Sequence, residues 1–247
     1  MTDNYRAYVG PENKYDLMAA SQFNLMTILG LRESHTLLDI GCGSLRGGRL
    51  FIPYLATGHY FGLEPNSWLI EQGMKEHGLS DVKQPQFSDD GNFTLTVFNR
   101  TFDFMLAQSI FSHAAQHQIE RCLQQARAVM HDKSLFVATF YVGTDSYTGS
   151  DWVYPGNVTY RMADMLALIQ DAGLRAQQLD WTHANEQTWL AIVRDDANID
   201  IPHVNDAANI ELLRSELNAL RAWQKRILSH PAMRAVLVAK RIKKRLV

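Results

Sequence analysis

Leu37-Leu38-Asp39-Ile40-Gly41-Cys42-Gly43-Ser44 is the stretch on which the reading of this chain turns. A short apolar run with one acid ends in two glycines a single residue apart, and helical spacing of apolar residues resumes from Arg46 to Leu55, before Gly58. This is a strand, a glycine turn and a helix. Downstream, His59-Tyr60-Phe61-Gly62-Leu63-Glu64 predicts a second strand and Ser67 to His77 the helix that follows it. Residues 81–101 are polar and show no clear period. Phe102 to Ala107 predicts a strand, Gln116 to Met130 a helix, and Ser134 to Tyr141 a strand rich in β-branched and aromatic residues. After a polar loop from Gly143 to Asn157, Tyr160 to Ala172 predicts a helix stopped by Gly173, and 175–181 and 187–193 predict two closing strands. Upstream, Tyr15, Met18, Phe23, Met26 and Leu29 recur mostly three residues apart, so 12–30 predicts an amphipathic helix with Gly30 at its stop. Strands alternating with helices imply an α/β fold whose mainly parallel sheet carries helices on both faces.

The chain has 247 residues, of which 46% are hydrophobic and 20% charged, enough for one sizeable core. The pattern divides it into an N-terminal helical lid (1–34), the α/β domain (35–194), and a linker with C-terminal helices (195–247). No apolar run reaches the roughly 18 residues needed to span a bilayer, and Met1-Thr2-Asp3-Asn4-Tyr5 lacks the layout of a secretory signal. A cytoplasmic location is the expectation. Cys42 and Cys122 are too few for a disulfide framework, and no cluster has metal-ligand spacing, so no metal is expected. The net charge of −2 is unevenly spread: Arg221 to Val247 carries nine basic and no acidic residues, leaving 15 basic against 26 acidic residues in 1–220. A body this acidic does not attract a phosphate backbone, which argues against a nucleic-acid partner.

In open α/β sheets, ligands bind beyond the carboxyl ends of the strands, which directs attention to Gly41 and Gly43. A dinucleotide-binding Gly-x-Gly-x-x-Gly needs glycine at position 46, where Arg46 stands, and no Gly-Lys-Ser/Thr follows to make a phosphate loop. Asp39 at the strand end suits a cationic ligand better than a pyrophosphate. Glu64, 25 residues on, lies where a carboxylate accepts the hydroxyls of a ribose. Together these positions describe a phosphate-free nucleoside. The alternative is structural: Gly41 and Gly43 as a tight turn only, with Asp39 capping the next helix.

The segment Leu37 to Ser44 resembles motif I of the class I S-adenosylmethionine-dependent methyltransferases. Glu64 in Phe61-Gly62-Leu63-Glu64-Pro65-Asn66 resembles their acidic ribose-binding position, and Phe102 to Ser109 resembles their fourth strand. The resemblance covers about 35–194 and implies a Rossmann-like methyltransferase fold with S-adenosylmethionine as cofactor. It also implies that Asp89 or Asp90 sits near the adenine amino group and Gln108 near the methionine end. Leu45 departs from the pattern, since many members have a third glycine there; Gly47 and Gly48 are candidates to compensate.

Transfer to a hydroxyl calls for a general base. His113, in Ser109-Ile110-Phe111-Ser112-His113 after the fourth strand, is the candidate catalytic residue, with His183 as a second and the start of the next helix as the structural alternative. Tyr141, Tyr147, Trp152 and Tyr154 give the following loop an aromatic content suited to stacking on a sugar or ring, so the expected acceptor is a small molecule or glycan. Ile210, Leu213, Leu217, Leu220 and Ile227 follow heptad steps, predicting homo-oligomer contacts through 206–229. The spacing of residues 232–247 predicts a basic amphipathic helix fitted to peripheral contact with an anionic membrane, or to docking on the acidic body or a partner. Two other functions fit the same sequence: a catalytically silent methyltransferase-like scaffold that recruits partners, and a nucleotide-sugar enzyme using a dinucleotide.

Overall fold

Leu37–Ile40 (β1) is buried at every position, and its alternation assigns each side chain to one face of a sheet. Leu38 and Ile40 pack into one apolar layer. Leu37 packs into the other. The computed structural model describes residues 4–204, 221–222 and 224–227. Around β1 stand β2 (Tyr60–Leu63), β3 (Gln86–Ser88), β4 (Phe102–Ala107), β5 (Met130–Val142), β6 (Thr159–Tyr160), β7 (Leu174–Leu179) and β8 (Thr188–Arg194). The strand order is β3-β2-β1-β4-β5-β8-β7, with β6 paired to β5 off this path. All pairings are parallel except those of β8, which runs antiparallel to both β5 and β7.

The helices are α1 (Tyr5–Tyr8), α2 (Tyr15–Ile28), α3 (Gly48–Tyr54), α4 (Ser67–Glu76), α5 (Gln116–Val129) and α6 (Met162–Asp171). Their apolar stripes cover the two faces. Ile119, Cys122, Leu123, Ala126 and Val129 of α5 recur at helical steps and pack with Met165, Leu168 and Ile169 of α6 on the layer that holds Leu38, Phe61, Met105 and Phe136. Leu25 and Met26 of α2, with Phe51 and Ile52 of α3, cover the layer of Leu37, Tyr60, Phe104 and Val137. Gly30 follows α2 with a φ of 107°, a left-handed stop that glycine makes without strain. At α5, the Gln118 side chain accepts the Ala115 N–H at 2.9 Å and satisfies a donor at the helix start.

The structure differs from the sequence expectation in three places. α3 begins at Gly48 rather than Arg46, because 41–47 are consumed by the turn after β1. The polar stretch 81–101 contains the edge strand β3 and a 3₁₀ turn at Leu95–Phe98, both too short to show a period. Residues 195–204, expected as linker, pack on the body through Ala197, Ile201 and Val204, so the first compact unit runs to Val204. Of the second unit, 205–247, residues 221–222 and 224–227 are helical. The expected membrane-surface helix at 232–247 lies outside the described residues, as does the heptad stretch 206–229 apart from those six. Among the described residues no helix is long and apolar enough to cross a membrane.

One close approach fixes the turn after β1 against α4. A Cβ added at Gly73 would lie 2.4 Å from the Ser44 carbonyl oxygen and 2.8 Å from its carbon, both backbone atoms. In an exposed helix, Gly→Ala would stabilise by ~1 kcal/mol. Here overpacking opposes that gain at a typical cost of ~1–3 kcal/mol and has no flexible side chain to absorb it. Gly73→Ala is therefore expected to lower the stability measured by urea denaturation; a variant as stable as the parent would show that the turn yields freely.

Candidate functional site

The carboxyl ends of β1, β2 and β4 open into a cavity of about 1060 Å³, at the upper end of the range for small-molecule sites. Its floor is the turn after β1. The Leu63 carbonyl, at the end of β2, accepts the N–H groups of Gly41 at 2.7 Å and Cys42 at 3.1 Å. Gly41, Gly43 and Leu45 have φ values of 70°, 52° and 58°. Glycine takes that conformation freely, whereas Leu45, fully buried, does so at a cost on the order of 1 kcal/mol or more. Val9 and Ile110 cover the exposed side of the two glycines: a Cβ at Gly43 would lie 2.7 Å from Val9 Cγ1, and one at Gly41 would overlap Ile110 Cδ1.

Glu64 joins this floor to the wall. Its Oε2 accepts the Gly43 N–H at 3.1 Å, while Oε1 accepts the Asn66 backbone N–H at 2.9 Å and the Asn66 side-chain amide at 2.8 Å. A carboxylate offers about four acceptor positions, so these three donors leave room on the cavity side for a hydroxyl. Beside Glu64 the lining is apolar, from Leu63, Pro65, Leu69 and Phe93, and ends at Asp90 and Gly91. Asp90 Oδ1 accepts the N–H groups of Asn92 at 2.9 Å and Thr94 at 2.8 Å. Partial burial alone would raise this carboxyl, but those N–H groups hold it below the ordinary carboxylate range.

Several residues singled out in the sequence line the cavity: Gly41, Gly43, Glu64, Asp90, Gln108 and His113. Asp39 does not. It shares the sheet face of Tyr60, whose hydroxyl donates to Oδ2 at 2.7 Å, and lies buried beneath the turn. Burial pushes its carboxyl up to about 6, against the pull of the Tyr60 hydrogen bond and of Arg46. Asp89 is exposed and off the wall. Tyr147 also leaves the wall, packing on the core layer of α5, while Tyr141, Trp152 and Tyr154 remain on it. The lid differs from the expected helix: α2 packs into the body, and residues 7–11 with Lys14 contribute the lining. Lys14 Nζ donates to the Ala184 carbonyl at 2.7 Å and to Asn185 Oδ1 at 3.1 Å, tying this segment to the loop before β8.

His113 has a defined tautomer. Its Nδ1 faces the carbonyls of Val153 at 3.0 Å and Gly156 at 2.7 Å, which can only accept, so Nδ1 carries a proton. Nε2 is left with its lone pair in the neutral ring, and no described residue bonds it. The ring packs against Trp152 and Tyr154 at centroid distances of 5.7 and 5.3 Å. Tyr154 in turn meets Tyr8 at 5.4 Å, and its hydroxyl donates to the Tyr8 carbonyl.

His183, the second candidate base, is buried. Its Nδ1 accepts the N–H groups of Asn185 at 3.1 Å and Gln187 at 3.3 Å, and burial, with Arg46 nearby, pushes its pKa down to about 4. Its Nε2 lies 2.9 Å from the amide nitrogen of Gln108. The sequence reading passed over Gln22 and took Arg46 only as the residue in place of a glycine. Arg46 is buried, lines the cavity, and donates to the Val9 carbonyl and to Gln108 Oε1, which also receives the Gln22 amide. The available signal was the charge itself, an arginine three residues past a glycine turn. Among the described residues no three His, Cys, Asp or Glu side chains converge as a metal site.

No family model matches the sequence. Among solved structures, magnesium protoporphyrin IX methyltransferase from Synechocystis with bound SAH aligns at a TM-score of 0.59 and 13% identity, over 78% of this chain and 93% of that one. A SAM-dependent methyltransferase from Leishmania major aligns at 0.61 and 15% identity, over 75% of each chain. Another from Clostridium acetobutylicum aligns at 0.58 and 11% identity, over 77% of this chain and 96% of that one. With the strand order and the reversed β8, these likenesses establish that the chain has the Rossmann-like fold found in S-adenosylmethionine-dependent methyltransferases.

Proposed function

We propose that the chain is an S-adenosylmethionine-dependent methyltransferase acting on a hydroxyl of a small-molecule or glycan acceptor. The observation that carries this reading is the Glu64 carboxylate, held on the cavity wall by Gly43 and Asn66 with acceptor capacity to spare. Glu64 would hold the ribose hydroxyls. The apolar strip of Leu63, Pro65, Leu69 and Phe93 would take the adenine, with Asp90 at its polar edge. A pyrophosphate suits this wall poorly, since both Glu64 and Asp90 are carboxylates on it. The fold likeness to methyltransferases supports the same reading.

When bound, the cofactor supplies an electrophilic methyl group on a sulfonium. The residues opposite the glycine turn deal with the acceptor. His113 Nε2 is free to take the proton of an acceptor hydroxyl, and the Nδ1 bonds to Val153 and Gly156 keep the ring from rotating away. Tyr8, Trp152 and Tyr154 are 38–41% exposed and offer aromatic faces on which a sugar or planar ring stacks while water is displaced. Asp39 acts from below, holding Tyr60 under the turn.

Calorimetry and turnover separate the two halves of the site. Glu64→Gln is expected to weaken S-adenosylhomocysteine binding about tenfold to a hundredfold. His113→Gln should leave that affinity unchanged yet lower methyl transfer from labelled S-adenosylmethionine, across a panel of glycans and small alcohols, by about a hundredfold or more. Unaltered affinity in the first variant would overturn the cofactor site; unaltered turnover in the second would remove the base.

Asp39 gives a pH signature. Its folded pKa of about 6 lies above the ordinary 3.8, so its contribution to stability is full below about pH 4 and is lost as pH rises through 6. That difference corresponds to ~3 kcal/mol. Relative to Asp39→Asn, the parent should lose stability by up to about this amount between pH 4 and 7 in urea denaturation. Parallel profiles would show that Asp39 ionises in the fold without cost.

A further inference from the structure

We infer that Ser109 donates its hydroxyl hydrogen to the attacking atom of the methyl acceptor and so selects an alcohol oxygen over an amine nitrogen. The inference rests on the methyltransferase reading above. Ser109 is half-buried and lines the same cavity wall as Gln108 and His113. Its φ of 60° is left-handed, a conformation that glycine takes freely and serine only with strain. Thr139 and Gln187, both buried, hold it there. Thr139 Oγ1 accepts the Ser109 N–H at 2.7 Å and donates to Gln187 Oε1 at 2.5 Å, which turns the Gln187 amide nitrogen toward Ser109. That nitrogen donates to Ser109 Oγ at 2.9 Å. Gln108 supplies a second donor: its Oε1 faces the Arg46 guanidinium, which can only donate, so its Nε2 faces Ser109 Oγ and donates to it.

A serine oxygen has two lone pairs, and these two amides engage both. The hydroxyl hydrogen remains, and among the described residues it bonds to none, so it is left for a ligand in the cavity. Most serines turn to donate or accept as a partner requires. Ser109 is fixed as a donor. Such a group discriminates between nucleophiles by their lone pairs. An alcohol oxygen has two, one to attack the methyl carbon and one to accept the Ser109 hydrogen. A neutral amine nitrogen has one, which cannot serve both. In the transfer, the acceptor oxygen bonds to the methyl carbon, the carbon–sulfur bond breaks with its electron pair left on sulfur, and the alcohol proton passes to His113 Nε2. Ser109 keeps its own proton and stabilises the charge that develops on the oxygen. The sulfonium and ammonium of the methyl donor are cationic and do not accept this hydrogen, which leaves the donor's carboxylate as the competing partner.

The test combines calorimetry with S-adenosylhomocysteine and methyl transfer from labelled S-adenosylmethionine to alcohol and amine pairs built on the same sugar or ring, at a pH that leaves the amines neutral. The parent should favour the alcohol of each pair by about tenfold or more. In Ser109→Ala and Ser109→Gly the alcohol-to-amine ratio should drop about tenfold, with S-adenosylhomocysteine affinity unchanged. Ser109→Gly relieves the left-handed backbone and carries the test if Ser109→Ala does not fold. A ratio unchanged in both variants, or a parent that favours the amine, overturns the assignment and leaves the cofactor reading standing. Loss of S-adenosylhomocysteine affinity in Ser109→Gly places the hydroxyl on the donor's carboxylate and overturns it as well. A parent that binds S-adenosylhomocysteine but methylates neither member of any pair overturns the hydroxyl acceptor together with its selection by Ser109. A parent that binds no S-adenosylhomocysteine overturns the cofactor reading itself.

Discussion

The bond from the Gly43 N–H to the Glu64 carboxylate ties the turn after β1 to the end of β2, and the cavity is built on that tie. The Leu63 carbonyl, which holds Gly41 and Cys42, and the Tyr15 hydroxyl, which donates to the Ser44 carbonyl at 3.2 Å, secure the rest of the turn. With these bonds, the left-handed residues at 41, 43 and 45 settle into one path. Leu45 bears strain there because its side chain is fully buried among apolar neighbours, a gain of ~1.5–3 kcal/mol for a leucine. Burial exceeds the backbone cost, so a third glycine is not needed. Beneath the turn, Tyr60 and Asp39 complete the support through a hydrogen bond across adjacent strands.

The two ends of the cavity differ in chemistry. Near the glycines the groups are polar and buried: Arg46, Gln22 and Gln108 meet there, with Arg46 Nε and Gln22 Oε1 left without partners, while Asp39 is occupied with Tyr60 and Glu64 with Gly43 and Asn66. Toward the loop after β5, the wall is aromatic and partly open, with His113 fixed as an acceptor at Nε2. A ligand that is polar and hydrogen-bonding at one end and neutral and ring-like at the other matches the whole surface better than either type alone. The segment 7–11 closes over both portions, held by Arg46 at Val9 and by Tyr154 at Tyr8.

The strands and the glycine turn were legible because each central strand is a buried apolar run, and a run of that kind leaves a local mark in the sequence. The edge strand β3 left none: Gln86 is exposed and Phe87 and Ser88 only partly buried, and pairing with β2 is what makes it a strand. Asp39 was read as a wall residue, but the face it occupies is set by its strand's alternation and its pairing beside Tyr60, information that does not reside in residues 37–44 alone. Arg46 was read only as a missing glycine. Its importance arises from what lies around it, since Gln22 and Gln108 are far from it in the chain. The burial of His183 likewise depends on how the loop between β7 and β8 folds under Trp189, which its ring contacts at 5.3 Å.

The central claim is that this cavity holds S-adenosylmethionine by its ribose and amino-acid ends. A crystal structure of the protein soaked with S-adenosylhomocysteine tests it most directly. The account predicts the ribose hydroxyls on the Glu64 carboxylate and the amino-acid portion beside Gly41 and Gln108. Density for the nucleoside elsewhere on the protein, or in this cavity with its ribose turned away from Glu64, would contradict it.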